Sequence, residues 1–193
     1  MGSESADPSS AKSSKAAFWV ALAAAAFSFA TLPLIPAIFS TLLAGLAIWI
    51  ATVDLERLII PDLANAAIAV LGLALIVIQT PAGALIEEIS DALMRAIVAG
   101  GLLFLVRFLF TRVAGKEGLG LGDVKLMAAG AIFLSWASLP YGLVIAAVAA
   151  IMAVVLRGLR LGKRLDRETE IPFGAFLAPA IWAAFLLEQL NLF

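Results

Sequence analysis

The stretch AAFWVALAAAAFSFATLPLIPAIFSTLLAGLAIWIATV, residues 16–53, contains 38 residues without a charged side chain. As one helix it would be about 57 Å long at 1.5 Å per residue, whereas the hydrocarbon core of a bilayer is about 30 Å thick. Pro33 and Pro36 lie near its middle, and proline interrupts helices. The stretch therefore predicts two membrane spans, at about 16–34 and 37–53, joined by a tight turn.

The composition of the whole chain agrees with a membrane protein. Of its 193 residues, 63% are hydrophobic and 14% are charged, against about 45–50% and 25% in an average globular domain. The mean hydropathy is +1.08. A single soluble domain of this length cannot hide so much apolar surface, so we expect an all-α, polytopic bundle of membrane helices.

The same composition excludes several kinds of chemistry. The chain contains no Cys and no His, which excludes thiolate metal sites, Cys nucleophiles and Ser-His triads. Its net charge is −1, with the basic residues scattered, so nucleic-acid binding is not expected. We predict no metal and no cofactor.

Five further spans complete a predicted total of about seven transmembrane helices. Residues 84–93 mix apolar and acidic side chains, which favours a short amphipathic helix on the membrane interface. Residues 1–15 carry six Ser and mixed charge and predict a disordered tail; residues 16–193 form the predicted transmembrane domain. A cleaved signal peptide is the alternative for the first span. The five further spans are at about 63–79, 94–113, 124–139, 141–157 and 173–191.

The distribution of Lys and Arg sets the predicted orientation. With seven spans and a cytoplasmic N-terminus, only Arg95 lies outside, Arg107 lies within the fourth span, and every other basic residue lies inside. This bias is the one expected of cytoplasmic loops, so we predict an N-terminus in the cytoplasm. The inside residues are Lys12, Lys15, Arg57, Arg112, Lys116, Lys125, Arg157, Arg160, Lys163, Arg164 and Arg167.

Two carboxylates differ from the rest because each lies at a predicted cytoplasmic end of a span. Asp54 follows the second span, and Asp123 ends the glycine-rich run GLGLGD, residues 118–123. Ionisable groups at membrane depth indicate function, although Asp is also a common helix cap. The glycines allow close approach of an extended peptide. Two neighbouring carboxyls share one proton, so one can activate water while the other protonates a peptide carbonyl.

At these residues the sequence resembles the type IV prepilin peptidases, membrane aspartyl proteases of the GxGD type. DLERLIIPDL, residues 54–63, is similar to the family's first catalytic Asp and its Ile-Pro element. GKEGLGLGDVKLMAA, residues 115–129, is similar to the Gly-x-Gly-Asp block. IPFGAFLA, residues 171–178, is similar to the family's Ile-Pro-Phe-Gly-Pro-Phe-Leu, with Ala175 in place of Pro. The resemblance covers about residues 50–193.

The resemblance implies a function and a set of site residues. The protein would be an aspartic endopeptidase in the bacterial inner membrane, cleaving the leader peptide from type IV prepilins or from the pseudopilins of type II secretion on the cytoplasmic side. Asp54 and Asp123 would be catalytic. Because the chain lacks Cys, it resembles a peptidase-only form without the Cys-containing region linked to N-methylation. Motif or substrate-approach residues would be Pro61, Gly120, Leu121, Gly122, Lys125, Pro172, Phe173 and Gly174.

Other interpretations stay open at this point. Another GxGD protease would place its first Asp in a Tyr-Asp pair, but Val53 precedes Asp54. A small proton-coupled carrier would use the two aspartates as a relay, but the predicted spans contain few polar residues besides Arg107. Residues 157–170 form a mixed-charge loop that either sets topology or attracts the basic leader. The sequence identifies neither the particular prepilin nor the oligomeric state.

Overall fold

The computed structural model describes residues 8–115, 118–161 and 171–192. Within these ranges the chain forms seven α-helices and no strand, which confirms the all-α prediction. The helices are α1 (Pro8–Thr31), α2 (Leu34–Arg57), α3 (Asp62–Gln79), α4 (Leu85–Ala114), α5 (Leu121–Gly130), α6 (Leu139–Leu161) and α7 (Gly174–Gln189).

Four of these helices, α2, α3, α4 and α6, are long and apolar enough to cross a membrane. The described apolar part of α1, Lys15–Thr31, and helix α7 are also apolar but shorter. These helices support a multi-pass membrane protein. The count of seven crossings and the side of the N-terminus stay predictions.

The first uncharged stretch folds as two helices, as predicted. Pro33 precedes α2, and Pro36 lies in the first turn of that helix, where a missing N–H costs no intrahelical hydrogen bond. The Ser28 and Ser40 hydroxyls lie 2.9 Å apart, and Trp182 Nε1 donates to Ser40 Oγ at 3.1 Å. These contacts join α1, α2 and α7.

Two ends of the predicted segments differ from the structure. Helix α1 begins at Pro8, so residues 8–15, which were predicted to be disordered, are helical. Residues 1–7 lie outside the described residues. Helix α6 continues to Leu161, and the rest of the predicted mixed-charge loop, residues 162–170, also lies outside them.

The predicted interfacial helix at 84–93 was wrong as a separate element, because it is the first part of the 30-residue helix α4. No proline interrupts residues 85–114. The buried Arg95 pairs with Asp91, one turn earlier, and lies 3.6 Å from Glu88. These contacts neutralise the polar face, so the helix continues into the apolar segment.

The fifth predicted span is a short helix followed by an irregular segment. Helix α5 ends at Gly130 after ten residues, which is about 15 Å. Turns connect it to α6, and Pro140 lies in the first turn of α6 instead of breaking the chain between two spans. The side chains of residues 131–134 are buried, and irregular backbone at membrane depth is tolerated where protein covers it.

The irregular segment extends to the C-terminal end of α7. The Ser135 N–H donates to Glu188 Oε2 at 3.0 Å, and Trp136 Nε1 donates to Asp91 Oδ1 at 2.8 Å. At the other end of the bundle, the last turn of α2 contacts the start of α7. We call that end the aspartate end, because Asp54 and Asp123 lie there. Residues 121–138 thus extend along the full length of α7.

The core is formed where α2, α3, α5 and α7 face one another. Leu43, Ile68, Met127 and Ile181 are buried there, one from each of these helices. Small residues let the helices approach closely, as in membrane bundles generally. A Cβ at Gly100 would lie 2.9 Å from the Cβ of Ala128, so α4 packs directly on α5.

Candidate active site

Asp54 lies in the last turn of α2 and connects that helix to α7. Asp54 is 5% exposed, and its Oδ2 accepts a hydrogen bond from the Ala175 N–H at 2.8 Å. Ala175 is the second residue of α7, where backbone N–H groups lack intrahelical partners and the helix dipole favours negative charge. The first and third sequence blocks therefore meet at this carboxylate.

Asp123 is the third residue of α5, and it is 7% exposed. Its Oδ2 accepts a hydrogen bond from the Gly120 N–H at 3.2 Å. Its Oδ1 is buried and accepts no hydrogen bond from the described part of the chain. One carboxylate oxygen thus caps the helix, while the other has no protein partner among these residues.

The two carboxyl groups interact electrostatically, since the charge on Asp54 acts on Asp123. Both carboxylates also accept hydrogen bonds from backbone N–H groups at helix N-termini. The alternative that the two aspartates are helix caps therefore accounts for these hydrogen bonds. A capping role alone does not require two buried carboxyl groups to share one site. In general, two carboxyl groups held close together share a single proton over part of the pH range, which is the arrangement that general acid–base chemistry uses.

Ile60 is the side chain on which the three sequence blocks converge. A Cβ at Gly122 would lie 3.1 Å from Ile60 Cβ, and a Cβ at Gly174 would lie 2.5 Å from Ile60 Cδ1. That same Cβ would lie 3.0 Å from Asp54 Oδ2. Gly122 and Gly174 therefore leave the space that Ile60 and the Asp54 carboxylate occupy.

Ile60 was absent from the predicted site residues. It belongs to the Ile-Pro element, and it is 8% exposed although the residues on either side of it, Ile59 and Pro61, are less buried. The signal available in the sequence was an apolar residue, adjacent to a proline, between two charged positions. That signal does not reveal which glycines the side chain will meet.

Lys125 and Pro61 lie near the aspartates but serve the connection between α3 and α5. Lys125 Nζ donates to Asp62 Oδ1 at 2.7 Å, with both side chains exposed. Pro61 precedes α3 with φ −63°, a value that proline adopts without strain. Leu121 is the first residue of α5 and is exposed.

Pro172 and Phe173 lead into α7. The Phe173 carbonyl accepts hydrogen bonds from the N–H groups of Phe176 and Leu177, at 3.0 and 2.9 Å. The Phe173 side chain packs against the main core. These residues fix where α7 begins, and so fix Gly174 and Ala175 beside Asp54. Of the predicted motif residues, Gly120, Gly122 and Gly174 lie against the carboxylates or Ile60.

The described residues contain no group of three or more metal-binding side chains. A cavity of about 230 Å³ lies at the opposite end of the bundle, between α3, α4 and α7. Its lining includes Gln79, Arg95 and Glu188. The cavity is therefore separate from the aspartate pair.

Comparison with known proteins finds one matching family model and several similar proteins. Residues 41–155 match the model of the type IV leader peptidase family. A prepilin leader peptidase/N-methyltransferase of Stutzerimonas stutzeri is 36% identical over 135 residues, which are 69% of this chain and 44% of that protein. The protein of the same description from Aeromonas hydrophila is 32% identical over 153 residues, 77% of this chain and 50% of that protein.

A third relative with that description, from Xanthomonas campestris pv. campestris, is 40% identical over 97 residues, half of this chain and 33% of that protein. The chain spans about half the length, or less, of these curated relatives. No solved structure matches it significantly. The family match covers more than half of the chain and includes Asp54, Asp123 and the glycines before Asp123. The chain belongs to the type IV leader peptidase family.

Proposed function

We propose that this protein is an aspartic endopeptidase that removes the leader peptide from type IV prepilins or pseudopilins. The observation that carries the proposal is the convergence of Asp54 and Asp123, from separate helices, around Ile60 at one end of the bundle. The relatives named as prepilin leader peptidases supply the substrate class. The leader peptide would enter between the glycine loop before α5 and the start of α7.

The two carboxyl groups supply the acid and the base. The ionised carboxylate takes a proton from water as the water attacks the scissile carbonyl carbon. The protonated partner donates its proton to the carbonyl oxygen. The carbonyl carbon thereby becomes the centre of a tetrahedral intermediate. Asp54 keeps its orientation through Ala175, and Asp123 through Gly120. Oδ1 of Asp123 accepts no hydrogen bond from the described residues, and in this proposal it is the oxygen that would accept one from the attacking water.

We place the aspartate end at the cytoplasmic face of the bacterial inner membrane. The distribution of Lys and Arg supports a cytoplasmic N-terminus and seven crossings. Residues 121–138 would be the fifth crossing, since Ser135 contacts Glu188 at the far end of α7. A basic leader on the cytoplasmic side of its own apolar helix would then lie beside the two carboxylates.

We further propose that the chain has peptidase activity without N-methyltransferase activity. The support is the absence of Cys from its 193 residues, together with the resemblance of that pattern to peptidase-only forms. No cofactor enters the proposed reaction. Incubation with a cleaved pilin and a methyl donor, followed by mass spectrometry, should detect no methylated N-terminus; a methylated product would refute this part.

Cleavage of a purified prepilin by the protein in detergent or vesicles tests the main proposal. Asp54→Asn and Asp123→Asn should each abolish release of the leader, measured by mass spectrometry, because Asn is neither acid nor base. Asp62→Asn is the matched control: this carboxylate is close in sequence but exposed and paired to Lys125. It should retain cleavage.

Clear residual cleavage by either purified dyad variant would remove that aspartate from the catalytic pair. Failure of the wild type to cleave any prepilin, with proton flux in vesicles that depends on both aspartates, would instead support a carrier. The position of both carboxyls at one end of the bundle argues against that alternative, because a relay across the membrane requires polar groups at mid-span.

A further inference from the structure

Arg107 lies inside α4, and its guanidinium contacts the loop that leads to Asp123. Its Nη1 donates to the carbonyl oxygen of Leu119. The side chain is partly buried, and an arginine within a membrane helix indicates a functional role by default. Arg95, in the same helix, has a different environment at the opposite end, where it pairs with Asp91.

The peptide group that accepts this hydrogen bond is also the one that supports Asp123. The Leu119 carbonyl and the Gly120 N–H belong to the same planar unit, and that N–H donates to Asp123 Oδ2 at 3.2 Å. In a trans peptide the two groups point in opposite directions and cannot rotate separately. Fixing the carbonyl on Arg107 therefore fixes the direction of the N–H toward the carboxylate.

A second contact on α4 holds the same loop. A Cβ at Gly118 would lie 2.4 Å from the ring of Phe110, so this backbone rests directly on that ring. Phe110 follows Arg107 by three residues and shares its face of the helix. A charged donor also polarises the amide it binds, which strengthens the hydrogen bond on the amide's other side.

We propose that Arg107 is a positioning residue for the peptidase reaction, acting through the Leu119–Gly120 peptide to hold the Asp123 carboxylate. This proposal rests on the proposed function, but it makes a structural claim that can be tested without cleavage. In this role Arg107 acts through the peptide: it orients the backbone donor that contacts the carboxylate.

A graded series of variants measures this role. Arg107→Lys keeps a charged donor, Arg107→Gln keeps a neutral donor, and Arg107→Met keeps similar length without a donor. We expect kcat for prepilin cleavage to fall in that order, by about 10–100-fold for the methionine variant, because displacements near 1 Å cost about that much. KM should change less than kcat. Arg112→Met, in the last turn of the same helix, is the control.

Hydrogen exchange provides the readout that does not need activity. Exchange of the amides in residues 118–123, followed by mass spectrometry on the full-length protein, should be faster in Arg107→Met than in wild type or Arg112→Met. Arg107→Lys should retain most of the wild-type protection of these amides from exchange. Unchanged exchange in the methionine variant would overturn the proposal, whether or not the wild type cleaves prepilin.

The activity series has its own contrary outcome. If the Gln and Met variants have equal kcat, and if in both the fall in kcat accompanies a similar fall in Tm, Arg107 has a purely structural role. If the methionine variant fails to fold, the comparison of Lys with Gln still distinguishes a charged donor from a neutral one. A wild type that does not cleave, with the exchange pattern as expected, would refute the proposed function alone.

Discussion

Gly174→Ala places one methyl group beside both the first aspartate and its packing partner. The new Cβ would lie 2.5 Å from Ile60 Cδ1, 2.9 Å from Ile60 Cγ1 and 3.0 Å from Asp54 Oδ2. Carbon atoms pack best about 3.5–4.0 Å apart, so Ile60 Cδ1 must retreat by about 1 Å. The isoleucine is buried, so its retreat disturbs its neighbours, and the carboxylate must shift as well.

The expected losses in stability and in activity have separate origins. Overfilling a packed site costs about 1–3 kcal/mol, which should appear as a lower Tm. Moving the carboxylate by a few tenths of an ångström to 1 Å should lower kcat by about 10–100-fold. Since the proposed leader substrate would contact more than this one point, KM should change less than kcat.

A second substitution separates these two effects. Ile60→Val removes Cδ1, the atom closest to the added methyl group, and by itself costs about 0.5–1.5 kcal/mol. The double variant Gly174→Ala/Ile60→Val should regain part of the lost Tm relative to Gly174→Ala, because the shortest contact is removed while the 2.9 Å contact with Cγ1 remains. Its kcat should recover only partly, because the contact with Asp54 Oδ2 remains.

The control is Gly101→Ala, whose Cβ would meet nothing within 4 Å. It lies inside α4, where replacing Gly by Ala favours the helix by about 0.5–1 kcal/mol. Its Tm should be equal to or above that of the wild type, with unchanged cleavage. Wild-type kcat in Gly174→Ala would refute the argument that this glycine reserves space for the Asp54 carboxylate.

Two further predictions follow from the same structure. With the proposed aspartate pair sharing one proton, the cleavage rate should be bell-shaped in pH, falling at low pH when both are protonated and at high pH when both are ionised; a chelator should not change the rate, and loss restored by a divalent metal would contradict this mechanism. Arg95→Met should lower the free energy of unfolding by about 1–2 kcal/mol, because the carboxylates that it leaves unpaired, Glu88 and Asp91, are partly exposed and are screened by solvent; a wild-type Tm would show that this cluster does not hold the irregular segment after α5.

Much of the architecture was predictable because a bilayer restricts what an apolar segment can do. Uncharged runs must become helices there, so the helices near α2, α3, α6 and α7 were predicted to within a few residues. The break at Pro33 followed from the chemistry of proline. The predicted break at Pro140 was misplaced, because proline is also favourable in the first turn of a helix.

The short α5 was not predictable from local sequence. Residues 124–139 are as apolar as a span, yet the helix ends at Gly130. A Cβ at Gly130 would lie 2.5 Å from Ile181 Cδ1, and Ser135 bonds to Glu188. Contacts with α7 therefore compensate the irregular backbone, and these partners are about 50 residues away along the chain.

In the candidate site, too, part was predictable from the sequence and part depended on tertiary contacts. The sequence by itself determined the two aspartates as candidates, since a charged residue at membrane depth is costly and so rarely accidental. Tertiary structure decided that Ala175 supports Asp54, that Ile60 fills the space beside Gly122 and Gly174, and that Arg107 holds the peptide before Gly120. Hydropathy and spacing fix the depth of each residue in the membrane, whereas the rotation and packing of helices decide which residues meet at that depth.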